Sequence, residues 1–263
     1  MRQCFSLDEV FHKDLKKSFS KYSVIKIKNL IDKSVCTEAC NYIFENEDRI
    51  INKYIKDKRG LTIDKVKNKK YIKYFEYPFK ENSNVFGKFV SSDIFKLSEF
   101  LLESPVYLKS LEVHSRCALG TKIPPHQDNA YYGLKRAKGL TFYIPITKEF
   151  SDMGGLKNFK NPNDIELDHM PSDSSGFSLK ICTLNNLAFD TYAPDYLPGD
   201  CTVHHSRSIH FANAVPIHAE RSLVVRISIY SKKDFQKKGH SEWYRNMIER
   251  NREVVSKSMS IEV

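Results

Sequence analysis

Past Pro105 the chain changes character. Before that point apolar residues recur at helical spacing. Beyond it they fall in short β-branched and aromatic runs separated by Gly, Pro, Asn and Asp, which predicts strands over 106–116, 122–130, 139–146, 178–183, 201–205 and 223–230. Helices first and strands afterwards leave a barrel or sandwich backed by an N-terminal helical layer. A small barrel of that kind holds a ligand in its mouth.

The N-terminal layer is read from its periods. Phe5, Leu7, Val10, Phe11, Leu15 and Phe19 suit a helix over 5–20, and the β-branched run at 22–27 suits a strand. Ser34 is a candidate cap for a helix carrying Val35, Ala39, Tyr42 and Ile43 and reaching about Ile55. One or two helices are expected over 85–102, with Asp93 as a cap. The aromatics of 71–79 are expected to pack on the core or to form a flap over a site. At 263 residues one domain is expected: helical support over about 1–105, a β core over about 106–231 and a charged C-terminal helix over about 241–258.

No apolar run approaches the length needed to span a bilayer, and Asp8 and Glu9 stand where a leader would carry its apolar core, so a cytoplasmic protein without a membrane partner is expected. Six cysteines, at 4, 36, 40, 117, 182 and 201, lack paired or zinc-finger spacing and are read as reduced thiols. The formal charge of +10 is locally concentrated: eight basic residues lie between Lys56 and Lys73 against Asp57 and Asp64. A solvated basic loop accounts for this excess, and attraction of an anionic small molecule is the functional alternative. No nucleic-acid-binding signature accompanies it.

The chemistry is concentrated in Pro124-Pro125-His126-Gln127-Asp128-Asn129-Ala130-Tyr131-Tyr132. In an extended segment alternate side chains share a face, so His126 and Asp128 present an imidazole and a carboxylate together. A third ligand is available within 199–210, where His204, His205 and His210 follow the turn signal Pro198-Gly199-Asp200. Two histidines and one carboxylate with positions left open form the facial triad of non-haem Fe(II) oxygenases. Eleven residues after His210, Arg221 starts a strand on the same face as Leu223, Val225, Ile227 and Ile229. An arginine on an apolar strand face needs an anion, and a carboxylate or phosphate fits its fork.

Those runs, together with Gly139-Leu140-Thr141-Phe142-Tyr143-Ile144-Pro145-Ile146 and Gly154-Gly155-Leu156, resemble the phytanoyl-CoA dioxygenase family over about residues 5–230. The resemblance implies a double-stranded β-helix (a jelly roll, cupin-like) and an Fe(II)- and 2-oxoglutarate-dependent dioxygenase that uses O2 and releases succinate and CO2. It implies His126, Asp128 and His210 as iron ligands and Arg221 as the partner of the distal carboxylate of 2-oxoglutarate. Thr141 and Tyr132 are implied at the cosubstrate pocket. His204 and His205 are then neighbours rather than ligands, and His114 either lines the pocket or belongs to the core. Family relatives that halogenate lack the carboxylate, so Asp128 favours hydroxylation. Ala212 stands where many relatives have a small hydroxyl residue. The basic surface makes a small, anionic molecule the expected substrate, with Lys157, Lys160, Lys135 and Arg136 as candidate contacts. A cupin-like metal enzyme of another class, or a binding protein on the same fold, are the alternatives.

Overall fold

The computed structural model describes residues 2–9, 11–57, 60–66, 68–161, 164–174, 176–184 and 190–261. The chain opens with β1 (Cys4–Phe5), a 3-10 turn, α1 (Lys13–Tyr22), β2 (Val24–Ile27) and α2 (Lys33–Tyr54). α1 buries Leu15, Ser18 and Phe19, one stripe at helical spacing, and ends where Ser23 turns left-handed with its N–H on the Phe19 carbonyl. α2 is capped by Asp32 rather than Ser34: the Asp32 side chain accepts from the Ser34 N–H at 2.6 Å. It buries Cys36, Ala39, Ile43, Ile50 and Ile51 along one side.

Residues 61–75, which carry no strand signal above their lysines, fold as a hairpin of β3 (Leu61–Val66) and β4 (Lys69–Phe75). Of the basic run, Lys58, Arg59 and Lys67 lie outside the described residues. Short α3 (Pro78–Glu81) and α4 (Ser83–Phe86) lead to α5 (Ser92–Leu102), whose cap is Ser91, with Asp93 in its first turn. The aromatic stretch divides: Phe75 is buried in the core, Tyr77 packs against it and Phe79 is exposed.

The second half supplies β5 (Val106–Arg116), β6 (Ile123–Gln127), α6 (Asn129–Tyr132), β7 (Gly139–Pro145), β8 (Lys157–Phe159), β9 (His169–Ser174), β10 (Phe177–Ile181), β11 (Thr191–Tyr192), β12 (Cys201–His205), β13 (Ile209–Ala212), β14 (Ser222–Ser231) and α7 (His240–Ile261). One sheet has the order β1-β2-β12-β7-β14-β5-β4-β3 and the other β11-β8-β13-β6, with β9 and β10 as a separate hairpin. The four central strands β12-β7-β14-β5 and the four-stranded sheet are the two halves of a jelly roll, the double-stranded β-helix. The N-terminal layer is more than helical support, since β1 and β2 extend the large sheet on one edge and β4 and β3 on the other.

The apolar core lies behind the large sheet. Leu223, Val225, Ile227 and Ile229 of β14 join Leu140, Phe142 and Ile144 of β7, Val203 of β12, and Ile43, Ile50, Leu97 and Leu101 of the helices in one buried cluster. Burial of each such side chain contributes about 1.5–3 kcal/mol. The opposite face of β14 carries Ser222, Val224, Arg226 and Ser228. The space between the sheets takes this more polar face, and among the described residues Tyr143, Leu156, Tyr196 and Val224 form a small buried apolar cluster there.

This orientation corrects the reading of Arg221. Its parity with Leu223 and Val225 places it on the helix side, where both its terminal nitrogens donate to Glu47 of α2 at 2.8 and 2.6 Å. Nε donates to Ser115 Oγ at 2.7 Å, and the Tyr71 ring lies 5.1 Å away. The anion Arg221 required is supplied by the protein itself, and the pair fastens α2 to the sheet. All six cysteines are free, and among the described residues no helix is long and apolar enough to cross a membrane.

Two measurements follow from this core. Glu47→Ala leaves the partly buried Arg221 guanidinium without its carboxylate and is expected to lower stability by about 3 kcal/mol in urea unfolding, the lower end for a broken buried pair, while leaving metal affinity unchanged. Burial, aided by Arg207 and His204, pulls His205 from its ordinary 6.5 down to about 3. Below pH 6.5 the unfolded chain takes up a proton there that the folded chain refuses, so stability falls as pH drops from 6.5 towards 3. The urea midpoint of His205→Leu is expected to fall less over that interval than that of the parent protein.

Candidate metal centre

β6 and β13 pair antiparallel with His126 directly opposite His210, their ring centroids 4.2 Å apart. β6 ends three residues earlier than the strand expected over 122–130: Asp128 has helical backbone angles and stands as the N-cap of α6. The turn still delivers its carboxylate to the two imidazoles. Oδ1 lies 3.9 Å from His126 Nε2 and 3.7 Å from His210 Nε2. Both gaps are less than twice a metal–ligand bond of about 2.1 Å, so one ion can bridge all three. Among the described residues these three form the group able to hold a metal, and all are buried.

The atoms that would not bind metal are each accounted for. His126 Nδ1 meets the Pro124 carbonyl at 2.8 Å and His210 Nδ1 meets the Ser208 carbonyl at 3.0 Å. A ring nitrogen facing a carbonyl carries the proton, which leaves each Nε2 lone pair free and turned towards Asp128. Burial lowers the pKa of both imidazoles, most strongly at His210, which keeps them in the neutral form a metal requires.

Asp128 divides its two oxygens. Oδ1 faces the histidines, whereas Oδ2 accepts from Thr141 Oγ1 at 2.5 Å, Arg226 at 2.9 Å, the Tyr132 hydroxyl at 3.1 Å and His204 Nε2 at 3.3 Å. Burial alone would raise this carboxyl; Arg226, then His210 and His204, hold it well below the usual carboxylate range. Arg226 is shared with Glu112 at 3.0 Å and with the Tyr132 hydroxyl. Glu112 is likewise held down to about 2, against its burial, by Arg226 and His114.

Each sequence-derived candidate can now be placed. His126, Asp128 and His210 come together. Thr141 and Tyr132 stand beside them but hold the outer oxygen of Asp128, as does His204, while His205 on the opposite face packs on Phe19. Arg221 is absent from the site. Sequence reasoning missed Arg226 and Glu112. Their signal was available, since Arg226 interrupts the β-branched run of β14 in opposite phase to its apolar row.

The triad opens into a cavity of about 1080 Å³ bounded by Tyr74 of the β3–β4 hairpin, Phe177 of β10 and Tyr244 of α7. Tyr131 and Phe177 stand beside His126, at centroid distances of 5.5 and 6.3 Å. His114 lines this space, with Tyr74 edge-on at 4.9 Å. The lysines and arginine suggested for substrate contact, Lys157, Lys160, Lys135 and Arg136, do not line it; Lys73, Arg116, Arg226, Arg245 and Arg252 do.

The donor set separates the histidines experimentally. His210→Ala is expected to weaken Fe(II) binding by at least about 100-fold in anaerobic calorimetry, whereas His204→Ala, which leaves three donors on Asp128 Oδ2, retains binding within about tenfold.

No family model matches the chain, and no curated protein matches it by sequence. Solved structures match in fold. EctD from S. alaskensis, with 2-oxoglutarate and 5-hydroxyectoine, is 14% identical at a TM-score of 0.68, covering 90% of this chain and 85% of that one. The non-haem α-ketoglutarate-dependent epimerase SnoN from nogalamycin biosynthesis is 16% identical at a TM-score of 0.63, over 86% and 84% of the two chains. AviO1 from Streptomyces viridochromogenes is 10% identical at a TM-score of 0.62, over 83% and 94%. At these identities what is shared is the fold.

Proposed function

We propose that the protein is an Fe(II)- and 2-oxoglutarate-dependent dioxygenase of the phytanoyl-CoA dioxygenase type, folded as one catalytic domain, that hydroxylates a C–H bond of a small anionic molecule. The observation that carries this reading is the triad with its unused atoms fastened: two fixed Nε2 lone pairs and a single free carboxylate oxygen. That donor set, with positions left open, suits ferrous iron. Solved structures of the same fold lend support, since they include an α-ketoglutarate-dependent epimerase and a protein holding 2-oxoglutarate.

His126, Asp128 and His210 would hold the iron. When bound, iron with 2-oxoglutarate and O2 supplies the oxidising power for C–H cleavage, with succinate and CO2 as coproducts. The chain's own residues do the positioning. Arg226 and Thr141 keep Asp128 ionised and limited to one ligating oxygen. Tyr131 and Phe177 cover His126 with apolar surface and limit water at the reacting end. Arg245 and Arg252 put positive charge at the cavity wall, which supports an anionic substrate. Free cysteines are consistent with a reducing, cytoplasmic setting.

Anaerobic addition of 2-oxoglutarate to the Fe(II)-loaded protein is expected to produce a weak visible charge-transfer band near ~500–530 nm, as a chelated keto acid on ferrous iron gives. The band is expected to be missing in His210→Ala. Iron binding without the band would point to a cupin-like metal enzyme of another class, and failure to bind iron to a binding protein.

A further inference from the structure

With Arg221 bound to Glu47, the distal carboxylate of a five-carbon keto acid needs another cation, and the cations along the cavity can be sorted by what they already touch. Arg226 is committed to Asp128 and Glu112. Lys73 stands 3.3 Å from Asp64. Arg245 and Arg252 are exposed on α7. Arg116, the last residue of β5, differs from all of these. Its two hydrogen bonds both run from Nη2 to backbone carbonyls, those of Thr121 and Asn213. Nε is buried with no hydrogen-bond partner. No carboxylate among the described residues forms an ion pair with it. Burial lowers its pKa, as expected for a guanidinium drawn from water without a counter-ion.

Its place in the fold suits the same purpose. Arg116 pairs with Ser222, the first inward-facing residue of β14. Arg226, which touches Asp128, lies four residues further along that strand, about 13 Å at about 3.3 Å per residue. Tyr143, Leu156 and Val224 line the interval between them, in the same cavity as the triad. Gly154 lies close over the guanidinium: a Cβ built there would stand 3.5 Å from Nη2. The nearby carboxylate, Glu149, has donors of its own, since both its oxygens take the Tyr143 hydroxyl and Oε1 takes the Leu156 N–H.

We infer that Arg116 is the anchor for the distal carboxylate of the dicarboxylic keto-acid cosubstrate, in the role that the family resemblance implies for Arg221. The inference rests on the oxygenase reading and changes which strand supplies the cation. A guanidinium with unsatisfied N–H groups binds carboxylate through charge-assisted bonds, so it selects 2-oxoglutarate over a keto acid of equal length ending in methyl.

Anaerobic titration of the Fe(II)-loaded protein with 2-oxoglutarate and, separately, 2-oxopentanoate measures that selection directly through the charge-transfer band and calorimetry, without turnover. The parent protein is expected to prefer 2-oxoglutarate by at least about tenfold. Arg116→Gln is expected to bring the ratio close to one with 2-oxopentanoate affinity unchanged, Arg116→Lys to restore part of it, and Arg221→Gln to keep it. A ratio unchanged in Arg116→Gln, or lost in Arg221→Gln, overturns the assignment while leaving the oxygenase reading intact. If iron binds but neither keto acid does, the oxygenase reading falls and the anchor with it. Should Arg116→Gln fail to fold, the intermediate ratio expected of Arg116→Lys decides, and an unchanged ratio there overturns the assignment.

Discussion

Asp128 is the group on which the site depends, because its two oxygens are kept for different tasks. A buried carboxylate is costly unless its charge is met. Here Oδ2 alone meets Thr141, Arg226, Tyr132 and His204, from β7, β14, α6 and β12. Three strands and a helix thereby converge on one atom, and the oxygen left over is aimed by subtraction. The histidines obey the same logic, each pinned through Nδ1 to a carbonyl two residues earlier in its own chain. What would be flexible ligands in a loop are fixed by backbone geometry before any ion arrives.

Much of this was legible in the chain, and the failures have physical reasons. β5 and β12 begin and end where the residue pattern places them, because long alternating runs bounded by turn residues specify strands locally. β8, β11 and β13 have three, two and four residues. Such segments are strands by virtue of the ladder they join, and no local propensity announces them. The β3–β4 hairpin went unseen for a different reason: lysines occupy its solvent side, and its burial rests on Leu61, Ile72 and Phe75.

The two arginines of the last strand teach the sharper lesson. Alternation along β14 puts them on opposite faces, with Arg221 on the side of the apolar row. In this fold the large sheet has its oily face against helices and its polar face towards the cavity. A row of Val and Ile marks the covered side, and the isolated Arg226 amid Ser and Val marks the working side. Arg221 became an architectural clamp because Glu47, 174 residues away in sequence, lies within its reach, and a partner so distant has no local signature. The site residues found from sequence are those whose spacing is short or whose strand is regular. Those missed depend on contacts between β5 and β14.

The large sheet ends at β3, whose outer edge has no paired strand among the described residues. An open edge invites another chain to add itself, and in soluble proteins lysine is a common guard against such stacking. Lys65 is exposed on that strand, with Lys69 and Lys70 at the start of its hairpin partner. An approaching strand would have to bury these charges and repel a copy of itself. Lys65, Lys69 and Lys70 thus have a use that requires no ligand: they guard the edge of an eight-stranded sheet against a further strand.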